Sequence, residues 1–114
     1  MMQSFENIPE TACRSFQDAL ELVGRRWTGA ILLAAVRGAR RFGEYRAAVG
    51  GISDRLLAQR LKELEADGLI ARSVIPSTPV QIRYEPTPEG HELMTLLQPL
   101  VNWSHRRLEG RAPS

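Results

Sequence analysis

Residues 53–70 read SDRLLAQRLKELEADGLI, and this stretch restricts the fold more tightly than any other in the chain. At a helical turn of about 100° per residue, Leu57, Leu61 and Leu64 fall on one stripe. Arg55, Gln59 and Lys62 fall on the opposite side. Ser53 offers a side-chain oxygen to cap the first turn, and Gly68 stops the helix after Asp67. Upstream, GEYRAAV at 43–49 is a short helical candidate followed by the breaker pair Gly50-Gly51. Two helices separated by GGIS match a helix-turn-helix. The leucine stripe explains how the second helix packs; its opposite side needs another explanation.

The rest of the chain supplies the frame. SFQDALELV at 15–23 sets Phe16, Leu20 and Val23 at helical spacing and ends at Gly24. RWTGAILLAAVR at 26–37 is apolar on most sides and predicts a buried helix, with Trp27, Ile31, Leu32 and Val36 in the core. After Gly68 the pattern changes. LIARSVIP is rich in β-branched residues, and VQIRY alternates Val80, Ile82 and Tyr84 against Gln81 and Arg83. PSTP lies between them, so the pair predicts a hairpin. Thr87 caps a last helix that has Pro88 at its first position. That helix carries Leu93, Met94, Leu96, Leu97, Leu100, Val101 and Trp103, more apolar circumference than a small domain needs. Pro99 is expected to kink it. The fold class expected is mainly α with a small β-hairpin (α+β), a winged helix-turn-helix. One domain is expected over 1–114, with a loose arm at 1–12, the helix-turn-helix at 43–67, the wing at 69–85 and the last helix at 87–108.

Charge gives the opposite side a purpose. The net charge of +2 decides little, but residues 25–62 hold nine basic residues against Glu44 and Asp54, a local +7 that suits a polyanion. Fourteen of the fifteen basic residues are Arg, so part of this signal is compositional. A helix that enters a major groove needs one face for the domain and one for base edges. Arg55 and Gln59 have the donors to read guanine and adenine, and Ala58 is small enough for close approach or a thymine methyl contact. Lys62, further along, suits a phosphate, and Ser53 with the first amides suits another. Arg60 sits at the edge of the leucine stripe, where an ion pair or a phosphate contact is expected in place of base reading. The plainer alternative, a merely wet helix face, is weakened by the turn before it and the hairpin after it.

Other classes find little support. His91 and His105 share the last helix without Cys or carboxylates at metal-ligand spacing, Ser104-His105 is no triad, and no Gly-rich phosphate loop occurs. No enzyme, cofactor or metal is expected. No apolar run reaches membrane-span length, and the first residues are unlike a secretory signal. The single Cys13 cannot form an internal disulfide. A cytoplasmic protein without a membrane partner is expected.

Several blocks, in order, resemble the HxlR-type family of bacterial winged helix-turn-helix transcriptional regulators. They are Cys13, then GRRWTGAILLAAVRG at 24–38, Arg41-Phe42, and GISDRLLAQRLKELEADGLIAR at 51–72. Tyr84 with Thr87, Gly90 and Trp103 complete them. Departures are Arg14 where Pro is common, Ala58 where Thr or Ser is usual, Arg83 for an acidic residue and Pro86 for Leu. The resemblance implies a homodimer on double-stranded DNA at an inverted repeat, with repression expected, near the nucleoid of a bacterial cytoplasm. It places Phe16, Leu20, Leu93, Leu96, Leu97, Leu100 and Trp103 in a dimer interface built by the N- and C-terminal helices. It sends Ser77 and Thr78, with Gln81 nearby, towards the flanking backbone or minor groove; Arg41 belongs to the basic set, and the departure at Arg83 either makes the wing more basic or points its side chain to the dimer side. It also implies a thiol switch at Cys13, aided by Arg14 and by Arg25 or Arg26 nearby, against the alternative of an inert thiol. Two further alternatives are a small-molecule effector held by Trp27, Phe42, Tyr45 and Trp103, which otherwise pack the core, and a winged helix that binds only protein.

Overall fold

The apolar run after Trp27 forms the centre of the molecule. The computed structural model describes residues 5–111. A 3-10 turn at Phe5–Asn7 precedes α1 (Glu10–Gly24), α2 (Thr28–Val36), α3 (Phe42–Ala48), α4 (Asp54–Ala66), β1 (Ile70–Ile75), β2 (Gln81–Pro86) and α5 (Pro88–Arg111). Helix α2 touches α1, α3, α4, α5 and β2. Its Ile31, Leu32 and Ala35 are fully buried, as the absence of polar residues on most of its sides requires. Against them pack Tyr45 and Val49 from α3 and its end, the Leu57, Leu61 and Leu64 stripe of α4, Leu69, Ile70, and Met94 of α5.

Helix α4 starts where Ser53 Oγ accepts the Leu56 N–H at 3.1 Å. It ends at Gly68, whose φ of +76° is a conformation that side chains resist. The chain then enters a two-stranded antiparallel hairpin, with Ile70 opposite Pro86 and Ile75 opposite Gln81. In this register Arg72 faces Tyr84 on one side, while Ser73 faces Arg83 on the other. Two bonds fasten the hairpin to the helices. The Tyr84 N–H donates to the Arg40 carbonyl at 2.7 Å, and the buried Tyr45 hydroxyl donates to the Tyr84 carbonyl at 2.9 Å. The two tyrosine rings meet edge to face, with centroids 6.2 Å apart. Burial pushes the Tyr45 phenol up to about 12.

Helix α5 is locked in by its first turn. Thr87 Oγ1 donates to the Gly68 carbonyl at 2.6 Å and accepts the Gly90 N–H at 3.0 Å. A Cβ at Gly90 would collide with the Leu69 carbonyl oxygen, so the end of α4 and the start of α5 approach as closely as backbone allows.

Two expectations change. Residues 10–12 form the first turn of α1 instead of a loose arm, Phe5–Asn7 is a 3-10 turn, and residues 1–4 lie outside the described residues. Helix α2 begins at Thr28, because Trp27 adopts a left-handed φ of +78° that breaks the expected helix over 26–37. Helix α5 includes Pro99, whose missing N–H removes one internal bond, and runs unbroken on both sides of it. Leu93 and Leu97, on the α5 face of Met94, are partly buried against the core and keep part of their surface open. Among the described residues, uncovered apolar side chains include Phe16 and Leu20 on α1, which buries no residue, Leu96, Leu100, Val101, Trp103 and Leu108 on α5, and Ile8, Val74, Val80 and Ile82 elsewhere.

Candidate nucleic-acid interface

The leucine stripe faces the core, so Arg55, Ala58, Gln59 and Lys62 all stand exposed on the outer side of α4. The charges around them are sorted by ion pairs. Arg46 of α3 reaches Asp54 at 3.1 Å, in the first turn of α4. Arg25, in the connection between α1 and α2, holds Glu63 at 3.0 Å and Asp67 at 3.1 Å. Arg60 donates through Nη1 to Glu63 at 3.0 Å and through Nε to the Arg26 carbonyl at 3.0 Å. Of its two expected roles, Arg60 therefore takes the structural one; its guanidinium joins α4 to the α1–α2 junction. Gln59 makes one long contact, 3.4 Å, to Glu63. Arg55 and Lys62 have no hydrogen bond or ion pair among the described residues.

The same connection carries the left-handed Trp27, whose half-buried ring lies beside Gly51 in the turn before α4 and is covered by the Arg26 guanidinium at 5.1 Å. A bulky residue with positive φ costs about 1–3 kcal/mol. Packing and the ion pairs of Arg25 and Arg60 offset that strain and set the angle of α4.

On the wing side, Arg41 donates to Gln81 Oε1 at 3.0 Å and ties the start of α3 to the first residue of β2, at the tip end of the ladder. Glu44 accepts the N–H groups of Arg40 at 2.8 Å and Arg41 at 2.9 Å, and these bonds hold its carboxyl below the usual range. Arg83 and Arg40 share Glu85, at 3.6 and 3.9 Å, so the extra wing charge is partly offset. Ser77 and Thr78 are exposed at the tip, where Ser77 Oγ donates to the Pro79 carbonyl at 2.7 Å.

Sequence reasoning missed Arg72. It is exposed, has no partner among the described residues, and lines a hollow of about 340 Å³ with Ala58, Lys62, Glu65 and Tyr84. The only sequence signal was alternation in the strand, and its position against α4 needed the hairpin register.

Cys13 is exposed in the first turn of α1. Arg25 and Arg26 lie twelve and thirteen residues on, at least about 18 Å along a helical rise. They are not its neighbours within the chain, and Arg25 is already committed to Glu63 and Asp67. The four aromatics do not gather into one cleft: Tyr45 is buried, Trp27 and Phe42 pack against the core, and Trp103 is exposed on α5 under the Arg107 guanidinium. Among the described residues no cluster of His, Cys, Asp and Glu suits a metal, and no helix is long and apolar enough to cross a membrane.

Residues 22–111 match the HxlR-like helix-turn-helix family. The chain is 39% identical over 92 residues to YvaP, an HTH-type transcriptional regulator of Bacillus subtilis, covering 81% of this chain and 85% of YvaP. It is 36% identical over 99 residues to the regulator YodB of the same organism, covering 87% and 88%. The structure of diamide-treated YodB superposes with a TM-score of 0.72 at 36% identity, over 82% of this chain and 93% of that one. YodB is also known in reduced and quinone-bound forms. The reduced form of the redox regulator HypR superposes with a TM-score of 0.76 at 29% identity, over 86% and 99%. A helix-turn-helix whose outer face carries the unpaired Arg55 and Lys62, a wing pinned beside it and these relatives lead to one conclusion: the chain belongs to the HxlR-like helix-turn-helix family of transcriptional regulators.

Proposed function

We propose that this regulator acts as a homodimer on an inverted-repeat DNA operator, as a repressor, and that oxidants or electrophiles control it through Cys13. The observation that carries the DNA reading is the sorting of charge on α4. Asp54, Glu63 and Asp67 are paired by Arg46, Arg60 and Arg25, while Arg55 and Lys62 are left free on the exposed face. Arg55 and Gln59 then meet base edges, Ala58 allows close approach, and Lys62 meets a phosphate. Ser53 holds the first turn of α4 in shape for the backbone. Ser77, Thr78, Gln81 and Arg83 of the wing, with Arg41 bonded to Gln81, meet the flanking backbone or minor groove.

The dimer reading rests on Phe16 and Leu20 of α1 with Leu96, Leu100 and Trp103 of α5, apolar side chains that the chain leaves uncovered. A two-fold pair places two α4 helices on half-sites about 34 Å apart. The switch reading rests on the exposed thiol of Cys13 and on relatives whose structures are diamide-treated or quinone-bound. The thiolate would attack the electrophile or be oxidised, and the modified α1 would shift the dimer. Selection from random duplex DNA tests the operator reading. It is expected to enrich a palindrome with centres about one helical turn apart; enrichment of no sequence would sink it.

A further inference from the structure

We propose that Arg72 of β1 and Lys62 of α4 together grip one phosphate of the operator backbone, between the recognition helix and the wing. This rests on the operator-binding reading above and adds to it a contact from the inner face of the hairpin. Opposite Tyr84 in the ladder, Arg72 stands on the hairpin side that looks towards α4, and both residues line a hollow with Ala58 and Lys62. Within α3, α4 and the hairpin, among the described residues, the cations without a partner are Arg55, Lys62 and Arg72. Two of those three share this hollow.

The chemistry of the hollow favours a phosphate. Glu65 also lines it but pairs with neither cation, so the hollow holds two positive charges and one negative. One phosphodiester balances them and relieves the repulsion between the cations. The Arg fork can take two phosphate oxygens while the Lys acts as a point charge. Lys62 lies eight residues beyond the first residue of α4, about two helical turns from the end that meets base edges. That portion of the helix lies over the groove wall, where the backbone runs.

The test replaces single phosphodiesters of the selected operator, one at a time, by neutral methylphosphonates. Wild-type affinity should fall about tenfold at one flanking position, the size of one charged hydrogen bond. Arg72→Gln and Lys62→Gln should both become insensitive at that same position, while Arg72→Lys should keep the sensitivity. Raising salt fourfold should weaken the wild type about 3.5-fold more than the double variant, the change for one phosphate. Both side chains are exposed, so unchanged melting temperatures would show that the variants are folded. Insensitivity at two different positions would show separate contacts and overturn the shared grip. An Arg72→Gln profile identical to the wild type would overturn the role of Arg72. Wild-type protein that prefers no sequence would instead remove the operator reading, and the grip with it.

Discussion

Tyr45→Phe isolates the joint between wing and helix. The substitution keeps the buried ring and its edge-to-face contact with Tyr84, and deletes only the hydroxyl that donates to the Tyr84 carbonyl at 2.9 Å. A lost hydrogen bond of this kind costs about 1–1.5 kcal/mol. For a chain of this size that lowers Tm by about 4–6 °C. The pH dependence makes the prediction sharper. Tyr45 releases its proton near 10.0 in the unfolded chain but only near 12 in the fold. Between these values the folded state holds more protons, so this stability is complete below the lower value and is lost as pH rises. The full separation corresponds to about 3 kcal/mol, and half of it is gone by about pH 11. Melting curves at neutral pH should therefore show the deficit of Tyr45→Phe, and curves at rising pH should show it shrink and vanish near pH 11. No deficit at neutral pH, or one that stays constant to pH 11, would refute the assignment of Tyr45 as the buried fastener of the wing.

Other substitutions separate the roles along α4 and the dimer faces. Arg55→Ala should cost about 1–3 kcal/mol of operator binding and relax one base position in a competition assay. Arg60→Ala should leave base preference unchanged and lower stability by about 1 kcal/mol, because its guanidinium is mostly enclosed and bonded to Glu63 and the Arg26 carbonyl. Trp103→Ala with Leu100→Ala should shift sedimentation towards the monomer; an intact dimer would move the interface elsewhere. Cys13→Ser should abolish the effect of a thiol oxidant on operator affinity, and a full response in that variant would remove the switch.

What could be read in the sequence was local. The leucine stripe of α4, the Ser53 cap, the Gly68 stop and the Thr87-Pro88 start each depend on residues within one or two turns, and the winged order followed from them. What could not be read depended on partners far away in the chain. Arg60 bonds to a carbonyl thirty-four residues earlier, and Tyr45 to one thirty-nine residues later. Trp27 is left-handed because tertiary contacts with the turn at Gly51 hold it against a local preference for helix. Leu93 and Leu97 resemble Leu96 and Leu100 in type, and only the docking angle of α5 decides which pair faces the core. Arg72 was invisible until the register of the hairpin set it over α4.

The central claim is that the outer face of α4 reads DNA, and fluorescence anisotropy tests it most directly. Labelled duplex carrying the sequence selected from random DNA would be titrated beside a shuffled control, with wild type and Arg55→Ala, at several salt concentrations. The account predicts tight wild-type binding to the genuine sequence, weakening steeply with salt, and a loss of preference over the shuffled control in Arg55→Ala. Equal wild-type binding to both duplexes, or a preference that survives Arg55→Ala unchanged, would contradict it.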